Sequence, residues 1–174
     1  MSDFLVYRRP SGGLIELGHE ATSTIIRYAQ HAPRAPEAGG ILLGRWLVDS
    51  QDIVVDEVTT PTRSDSRRRL WFFRSRSSHQ QRASAAWRES GGTCHYLGEW
   101  HTHPQHTPTP SGVDIQDWLR HLSEDTFVRP TLFFVIVGTH SINIWEGQRG
   151  NGALQPLQEI SPRGDSRSLL QRHC

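Results

Sequence analysis

The chain has 174 residues, enough for one domain with a sizeable buried core. Its formal net charge of +1 argues against a general nucleic-acid binder, and no apolar run approaches the roughly 18 residues of a membrane span. The N-terminus lacks the basic and apolar segments of a secretory signal, and the two cysteines, Cys94 and Cys174, do not suggest a disulfide framework. We therefore expect a reduced, cytoplasmic protein that binds neither membranes nor nucleic acid.

Hydrophobic periodicity and turn residues predict alternating strands and helices in the first half of the chain. Turn residues separate the members of two strand pairs, proline ends the first helix, and a glycine pair ends the second. In chain order, the predicted elements are strands at 4–8 and 14–17, a helix at 19–32, strands at 41–48 and 53–60, a polar, arginine-rich loop at 62–69, a short apolar strand at 70–73 and a helix at 78–89.

The second half of the chain supplies the strands that we expect to be the most buried. In order, these elements are a strand ending at His103, a proline-rich loop at 104–110, a helix from Ser111, a continuously apolar strand at 131–137 and a strand at 142–145. The sequence of elements predicts an α/β fold with a mixed sheet. Residues 1–147 are predicted to form a single domain, followed at 148–174 by a polar tail or extension.

A candidate metal site lies between the two elements that meet near residue 104. His101 and His103 have the i, i+2 spacing that places side chains on the same face of a strand. Ser111 is the predicted N-cap of the following amphipathic helix, and Asp114 lies in the first turn of that helix. Two imidazoles and one carboxylate leave the fourth tetrahedral position open, as in catalytic rather than structural zinc sites.

The same residues carry a resemblance to a known family. His-Thr-His-Pro, seven residues, and then Ser-x-x-Asp resembles the JAMM (MPN-plus) metalloprotease motif. The family also has a glutamate before a glycine-rich apolar strand, and the stretch Glu37-Ala-Gly-Gly-Ile-Leu-Leu-Gly44 matches it. The resemblance covers roughly residues 15–146 and points to the prokaryotic JAB-type subgroup. It implies a cytidine-deaminase-like fold, in which helices sandwich a mixed β-sheet.

The resemblance also implies a role for each residue of the motif. His101, His103 and Asp114 would hold one Zn²⁺ per chain and lower the pKa of a water to about 7. Glu37 would be the catalytic base that takes the proton of this water and hands it to the leaving amine. Ser111 would donate a hydrogen bond to the oxyanion of the tetrahedral intermediate.

The implied activity is that of a zinc isopeptidase acting after the C-terminal glycine of a ubiquitin-like protein or of a conjugated target. The chain resembles family members encoded beside E1- and E2-like proteins in CBASS-type antiphage operons, where a nucleotidyltransferase or a ubiquitin-like protein is thought to be released. One alternative is a peptidase that processes a sulfur-carrier precursor. The other is a non-catalytic MPN scaffold, although scaffold members usually lack the ligands that are present here.

Several neighbouring residues have two interpretations. We expect Glu99 to be a solvated strand residue rather than a hydrogen-bond acceptor that orients a metal-binding imidazole. We expect His106 to lie at the rim of the site, and Cys94 to be an inert thiol. The arginine-rich segment 62–76 is either a solvated loop or an electrostatic grip on an acidic face of the partner.

Overall fold

The computed structural model describes residues 4–160 and Leu169 of the chain. The helices are α1 His19–Ile26, α2 Arg76–Glu89 and α3 Gly112–Glu124. The strands are β1 Leu5–Arg8, β2 Leu14–Leu17, β3 Gly39–Trp46, β4 Ile53–Val58, β5 Ser66–Arg68, β6 Trp71–Phe73, β7 His95–Thr102, β8 Thr131–Val137, β9 Ile142–Gln148, β10 Leu154–Pro156 and β11 Gln158–Glu159. No helix in this part of the chain is both long and apolar enough to span a bilayer.

Nine of these strands form one sheet, in the order β10-β9-β8-β7-β3-β4-β2-β1-β11, whereas β5 and β6 pair only with each other. Strand β7 is parallel to β8 and β2 is parallel to β4, and the remaining neighbours in the sheet are antiparallel. The sheet is therefore mixed, as predicted. Strand β8, predicted to be the most buried, has no exposed residue along its length.

Helices cover both faces of the sheet because apolar side chains alternate along the central strands. On one face, α1 packs against a cluster that includes Leu42 and Phe133. On the other face, α3 packs against Phe134 and α2 packs against Ile41. This arrangement confirms the predicted α/β sandwich of a mixed sheet between helices.

A local irregularity in β7 sets the direction of the site residues. The register between β3 and β7 shifts next to Gly98, which has a φ of 143°. A Cβ at Gly98 would lie 1.8 Å from the carbonyl oxygen of Phe133, so only glycine fits. Beyond this point, Trp100 is buried in the cluster on the α1 face, and His101 faces Trp118 of α3.

Two predicted elements in the first half of the chain were wrong in extent. Helix α1 ends at Ile26 rather than at residue 32, and Gln30 turns inward to bond the carbonyl oxygens of Ala35 and Arg69. The predicted loop at 62–69 contains β5, which forms a hairpin with β6. Local composition predicted a loop because the partners that stabilise this hairpin are distant in sequence.

The predicted extension at 148–174 is continuous with the sheet at its start. Strand β10 pairs with β9, and the short β11 pairs with β1 at the opposite end of the sheet. Residues 154–159 therefore connect the two ends of a curved sheet. Residues 161–174, including Cys174, lie outside the described residues except for Leu169, which is buried.

Candidate metal centre

The three predicted ligands reach one point from two elements. His101 lies in β7, and His103 follows this strand with its N–H bonded to the carbonyl oxygen of Val137 in β8 at 2.9 Å. Asp114 lies in the first turn of α3. The end of β7 and the residue that follows it thus supply two imidazoles, and the start of α3 places one carboxylate opposite them.

Local sequence fixes the carboxylate of Asp114. The Ser111 hydroxyl accepts a hydrogen bond from the Asp114 N–H at 3.2 Å, and the Asp114 carboxylate accepts one from the Ser111 N–H at 2.6 Å. This reciprocal capping box begins α3 and confirms the predicted N-cap. The same Ser-x-x-Asp spacing therefore starts the helix and holds a carboxylate at the site.

The three predicted ligands lie close enough together to share one metal ion. Nε2 of His101 lies 3.1 Å from Nε2 of His103 and 3.3 Å from Oδ1 of Asp114, and Nε2 of His103 lies 3.4 Å from Oδ2 of Asp114. Zinc bonds of about 2.1 Å at tetrahedral angles separate neighbouring ligand atoms by about 3.4 Å. The donor set of two imidazoles and a carboxylate is also one that zinc accepts in catalytic sites.

The electrostatics of this group favour a bound cation. Burial raises the pKa of Asp114, but hydrogen bonds from His101 and His103 outweigh burial and hold this pKa far below its usual value. Burial lowers the pKa of His103, but the hydrogen bond and the charge of Asp114 raise it overall. Asp114 is therefore an ionised carboxylate between two imidazole nitrogens, at a position where a metal ion could replace protons.

Glu37 lies beside the predicted ligands because of the register between β3 and β7. Gly39 pairs with His101, and Ala38 exchanges hydrogen bonds with Thr102 at 2.9 and 3.0 Å. Continuing this register by one residue brings Glu37 opposite His103. Glu37 and the three predicted ligands line one cavity of about 840 Å³.

Burial changes the protonation of Glu37. The side chain is largely desolvated, which is the main reason why its pKa rises to about 7, while the charge of His103 opposes this rise and that of Asp114 adds to it. A cation held by the ligands would lower this pKa again, because positive charge favours the carboxylate. Glu37 is thus placed to exchange a proton near neutral pH.

The prediction that Glu99 is a solvated residue was wrong. Its carboxylate forms an ion pair with Arg74 and lies 3.4 Å from Nε2 of His121. Nδ1 of His121 lies 2.9 Å from Asp125, which Arg76 contacts at 2.5 Å. Two guanidinium groups balance the two carboxylates, and the network of ion pairs connects the segment after the β5–β6 hairpin with β7 and the end of α3.

Sequence reasoning missed two glutamines that support the site. The buried Gln30 accepts a hydrogen bond from the Thr102 hydroxyl at 3.2 Å and donates to the carbonyl oxygen of Arg69 at 2.8 Å. Oε1 of Gln105 lies 3.4 Å from Nδ1 of His103 and accepts the Thr109 N–H at 2.9 Å. Only the position of Gln105 two residues after a predicted ligand could have indicated such a role.

His106 and Cys94, whose roles the sequence left open, lie away from the predicted ligands. His106 is exposed and stacks on His140 with 3.8 Å between the ring centres, and it is not among the residues that line the cavity. Burial raises the pKa of the half-buried Cys94 thiol, so the thiolate is disfavoured. Neither side chain contributes to the candidate metal centre.

The class of the protein follows from comparison with known families. The family described as prokaryotic homologs of the JAB domain matches residues 19–148, so the chain belongs to this family. A solution structure of a Desulfitobacterium hafniense protein matches with a TM-score of 0.54 and 21% identity, over 83% of this chain and 88% of that one. At this identity, the likeness concerns the fold alone.

Four individual proteins that the chain resembles carry the name CD-NTase/cGAS isopeptidase, two of which illustrate the similarity. The protein from Pseudomonas aeruginosa (strain BWHPSA011) is 40% identical over 129 residues, which cover 72% of this chain and 80% of the relative. The protein from Vibrio cholerae serotype O1 is 33% identical over 161 residues, which cover 92% and 98%.

Proposed function

We propose that this chain is a zinc-dependent isopeptidase in a CBASS-type antiphage system, hydrolysing the amide after the C-terminal glycine of a conjugated nucleotidyltransferase or a ubiquitin-like protein. The observation that carries the proposal is the zinc-like spacing of His101, His103 and Asp114 in a cavity that also holds Glu37. The names of the relatives support isopeptidase chemistry and a CD-NTase as the conjugated protein. E1- and E2-like proteins would be the enzymes that make the conjugate.

The residues around the ligands have complementary roles in this reaction. A bound zinc ion would supply Lewis-acid chemistry, lowering the pKa of a water and polarising the scissile carbonyl. Glu37 accepts the proton of the attacking water and delivers it to the leaving amine. The Ser111 hydroxyl accepts the Asp114 N–H, which leaves its own hydrogen free to donate to the developing oxyanion.

The β5–β6 hairpin provides a path for an extended substrate tail. Within the described residues, β6 has a strand partner on one edge only, and its residues line the cavity opposite Val113 and Ser111. A peptide tail can add its backbone to such an edge. The Phe72 ring packs against Gly39, which pairs with the predicted ligand His101, so a tail along this edge would pass the Phe72 ring beside the ligands. We therefore expect glycine, which has no side chain, before the scissile bond.

Cleavage of defined conjugates tests this function. The nucleotidyltransferase encoded beside the chain, joined through its C-terminal residue to a reporter protein, would be compared with ubiquitin-like and sulfur-carrier fusions. We expect about one zinc per chain, with cleavage of the first or second substrate that stops after zinc is chelated and returns when zinc is restored. Zinc-loaded protein that cuts none of these substrates would remove the proposal.

The residue before the scissile bond gives a second, independent readout. In the same fusions, glycine would be replaced by valine or leucine. We expect the rate to fall steeply with either residue, because its side chain would meet the Phe72 ring, whereas glycine has no side chain. Equal rates with all three residues would show that the hairpin does not select glycine.

A further inference from the structure

The N–H and C=O groups of Glu37 are bonded to the hairpin, whereas those of the next residue, Ala38, are bonded to Thr102 of the main sheet. The Glu37 N–H donates to the carbonyl oxygen of Arg68 at 2.8 Å. Its carbonyl oxygen accepts a hydrogen bond from Nε of Arg67 at 2.7 Å, and Nη2 of Arg67 lies 3.5 Å from the carbonyl oxygen of Pro36. Both polar backbone groups of Glu37 are therefore bonded to consecutive residues of β5.

The Arg67 side chain is itself fixed in place. It is half-buried, and its guanidinium lies 5.8 Å from the centre of the Tyr28 ring. Tyr28 packs in turn against Trp100, with 5.7 Å between ring centres. An arginine supported by an aromatic ring has little freedom, so a hydrogen bond that it donates is well directed.

The hairpin that carries Arg67 is anchored at both ends. The carboxylate of Asp65 accepts hydrogen bonds from the Thr62 N–H at 2.6 Å and from the Ser75 N–H at 2.7 Å, which closes the base of the hairpin. Gln30 holds the carbonyl oxygen of Arg69 while it also bonds Thr102, beside the metal ligands. Residues 62–75 are thus tied to the rest of the chain by hydrogen bonds, although many of their side chains are exposed.

From these contacts we propose that Arg67 is a positioning residue for the catalytic base: its guanidinium fixes the peptide group after Glu37 and so directs the Glu37 carboxyl towards the ligands. The inference rests on the proposed function, in which Glu37 transfers the proton. Glu37 precedes the first residue of β3, so the pairing of β3 with β7 does not restrain its own N–H and C=O groups. A displacement of about 1 Å of a catalytic group can cost about a hundredfold in rate.

This role differs measurably from an electrostatic grip on an acidic partner. A positioning role acts after the substrate has bound, so its loss lowers kcat and leaves KM nearly unchanged. A grip acts in association, so its loss raises KM by a factor that shrinks as salt is added. If the segment grips a partner, the exposed Arg68 should contribute to substrate binding as much as Arg67 does. If Arg67 positions Glu37, replacing Arg68 should have little effect on kcat, because of these two side chains it is that of Arg67 which bonds Glu37.

The kinetic test compares four variants on the cleaved conjugate, with substitutions at Arg67, Arg34 and Arg68. Arg67→Met keeps the stem on Tyr28 but removes the donors, and we expect kcat to fall at least about tenfold with KM changed less than about twofold. Arg67→Lys keeps one donor and should recover most of the loss. Arg34→Met removes an equal charge from an exposed position near Glu37 and should match the parent. An unchanged kcat in Arg67→Met, or a salt-dependent rise of KM in both Arg67→Met and Arg68→Met, would overturn the inference.

A second readout does not depend on activity. In chelator-treated protein, the Glu37 amide should exchange hydrogen faster in Arg67→Met than in the parent and in Arg67→Lys, because the bond to Arg68 loses its support. Zinc content should be equal in all three. Equal protection of the Glu37 amide from exchange in all three proteins would overturn the proposed role of Arg67. If the parent cleaves no conjugate at all, the proposed function fails, but the exchange experiment still decides whether Arg67 holds Glu37.

Discussion

At the scale of single residues, the site separates groups that would bind zinc from groups that would move protons. Glu37→Gln removes the proton acceptor but leaves His101, His103 and Asp114 intact. We therefore expect this variant to keep about one zinc per chain and to lose about 10²–10⁴-fold in kcat, the usual contribution of a general base. His103→Ala should lose zinc as well as activity, which elemental analysis of the purified variants will show. Loss of zinc from Glu37→Gln with retention in His103→Ala would reverse these assignments.

Ser111 has two functions at the residue scale, and substitutions can separate them. Ser111→Ala removes both the N-cap of α3 and the hydroxyl donor, whereas Ser111→Asn keeps a capping oxygen. We expect a loss of about 1 kcal/mol in the free energy of unfolding for alanine only. Ser111→Ala should lose about 10²–10³-fold in kcat, as when an oxyanion donor is removed, whereas the amide of Ser111→Asn can still donate and should lose less. Urea unfolding and single-turnover rates measure the two effects, and an alanine variant with full activity would exclude the hydroxyl from catalysis.

The residues that could be predicted from the sequence are those fixed by short-range geometry. An i, i+2 pair in a strand and a Ser-x-x-Asp capping box place His101, His103 and Asp114 without knowledge of the rest of the fold. Gln30 and Arg67 could not be predicted in this way. Their partners lie 39 and 30 residues away along the chain, at Arg69 and Glu37, and only the assembled sheet brings them together.

At the scale of elements, strands with continuous or alternating apolar residues were predicted well, and the hairpin at β5 and β6 was not. Strand β8 is apolar throughout and buried throughout. Strand β5 is Ser-Arg-Arg, which is polar by composition. It is bonded to Glu37, and the next residue, Arg69, is bonded to Gln30, so both partners come from other parts of the chain. The hairpin therefore depends on tertiary contacts, which override the local preference for a loop.

The ion-pair network between elements predicts a pH-dependent stability. Burial and the charge of Arg74 lower the pKa of His121, but the hydrogen bond to Asp125 and the charge of Glu99 outweigh them and raise this pKa above its usual value of 6.5. A raised folded-state pKa stabilises the protein fully below the unfolded-state pKa, and this stabilisation is lost as the pH rises through the folded-state pKa. The network should therefore hold α3 to β7 more strongly at pH 6 than at pH 9.

The variant His121→Gln tests this pH dependence. In chelator-treated protein, we expect the free energy of unfolding of the parent to exceed that of His121→Gln most at or below about pH 6.5, with the difference shrinking at higher pH. Arg120→Gln, on the same helix, has a constant charge over this range and should differ from the parent equally at each pH. A difference for His121→Gln that grows with pH would contradict the assigned network.

At the scale of the whole molecule, the nine-stranded sheet curves until its two ends meet. Strands β1 and β9 are separated by five strands in the sheet order, yet the Tyr7 hydroxyl donates to the carbonyl oxygen of Ile142 at 2.8 Å. Arg9 lies 2.9 Å from Glu146 and stacks over Trp46 and Phe133. Residues 154–159 pair with both ends, which is why an apparently polar extension becomes part of the sheet.

The buried pair of Arg9 and Glu146 therefore acts as a closure between the ends of the sheet, and its energetics can be tested by a double-mutant cycle. Both side chains are almost fully buried, so removing one leaves a charge without its partner in a medium of low polarity. We expect Glu146→Leu alone to lower the free energy of unfolding by about 3–5 kcal/mol. Arg9→Met alone should also destabilise, because Glu146 keeps its bonds to Ser11 and Gln148 but loses its cation.

The double variant, Arg9→Met with Glu146→Leu, should lose much less than the sum of the two, since no unpaired charge remains buried. Additive losses in urea unfolding would show that the two side chains stabilise the protein independently, and that this pair does not act as a closure.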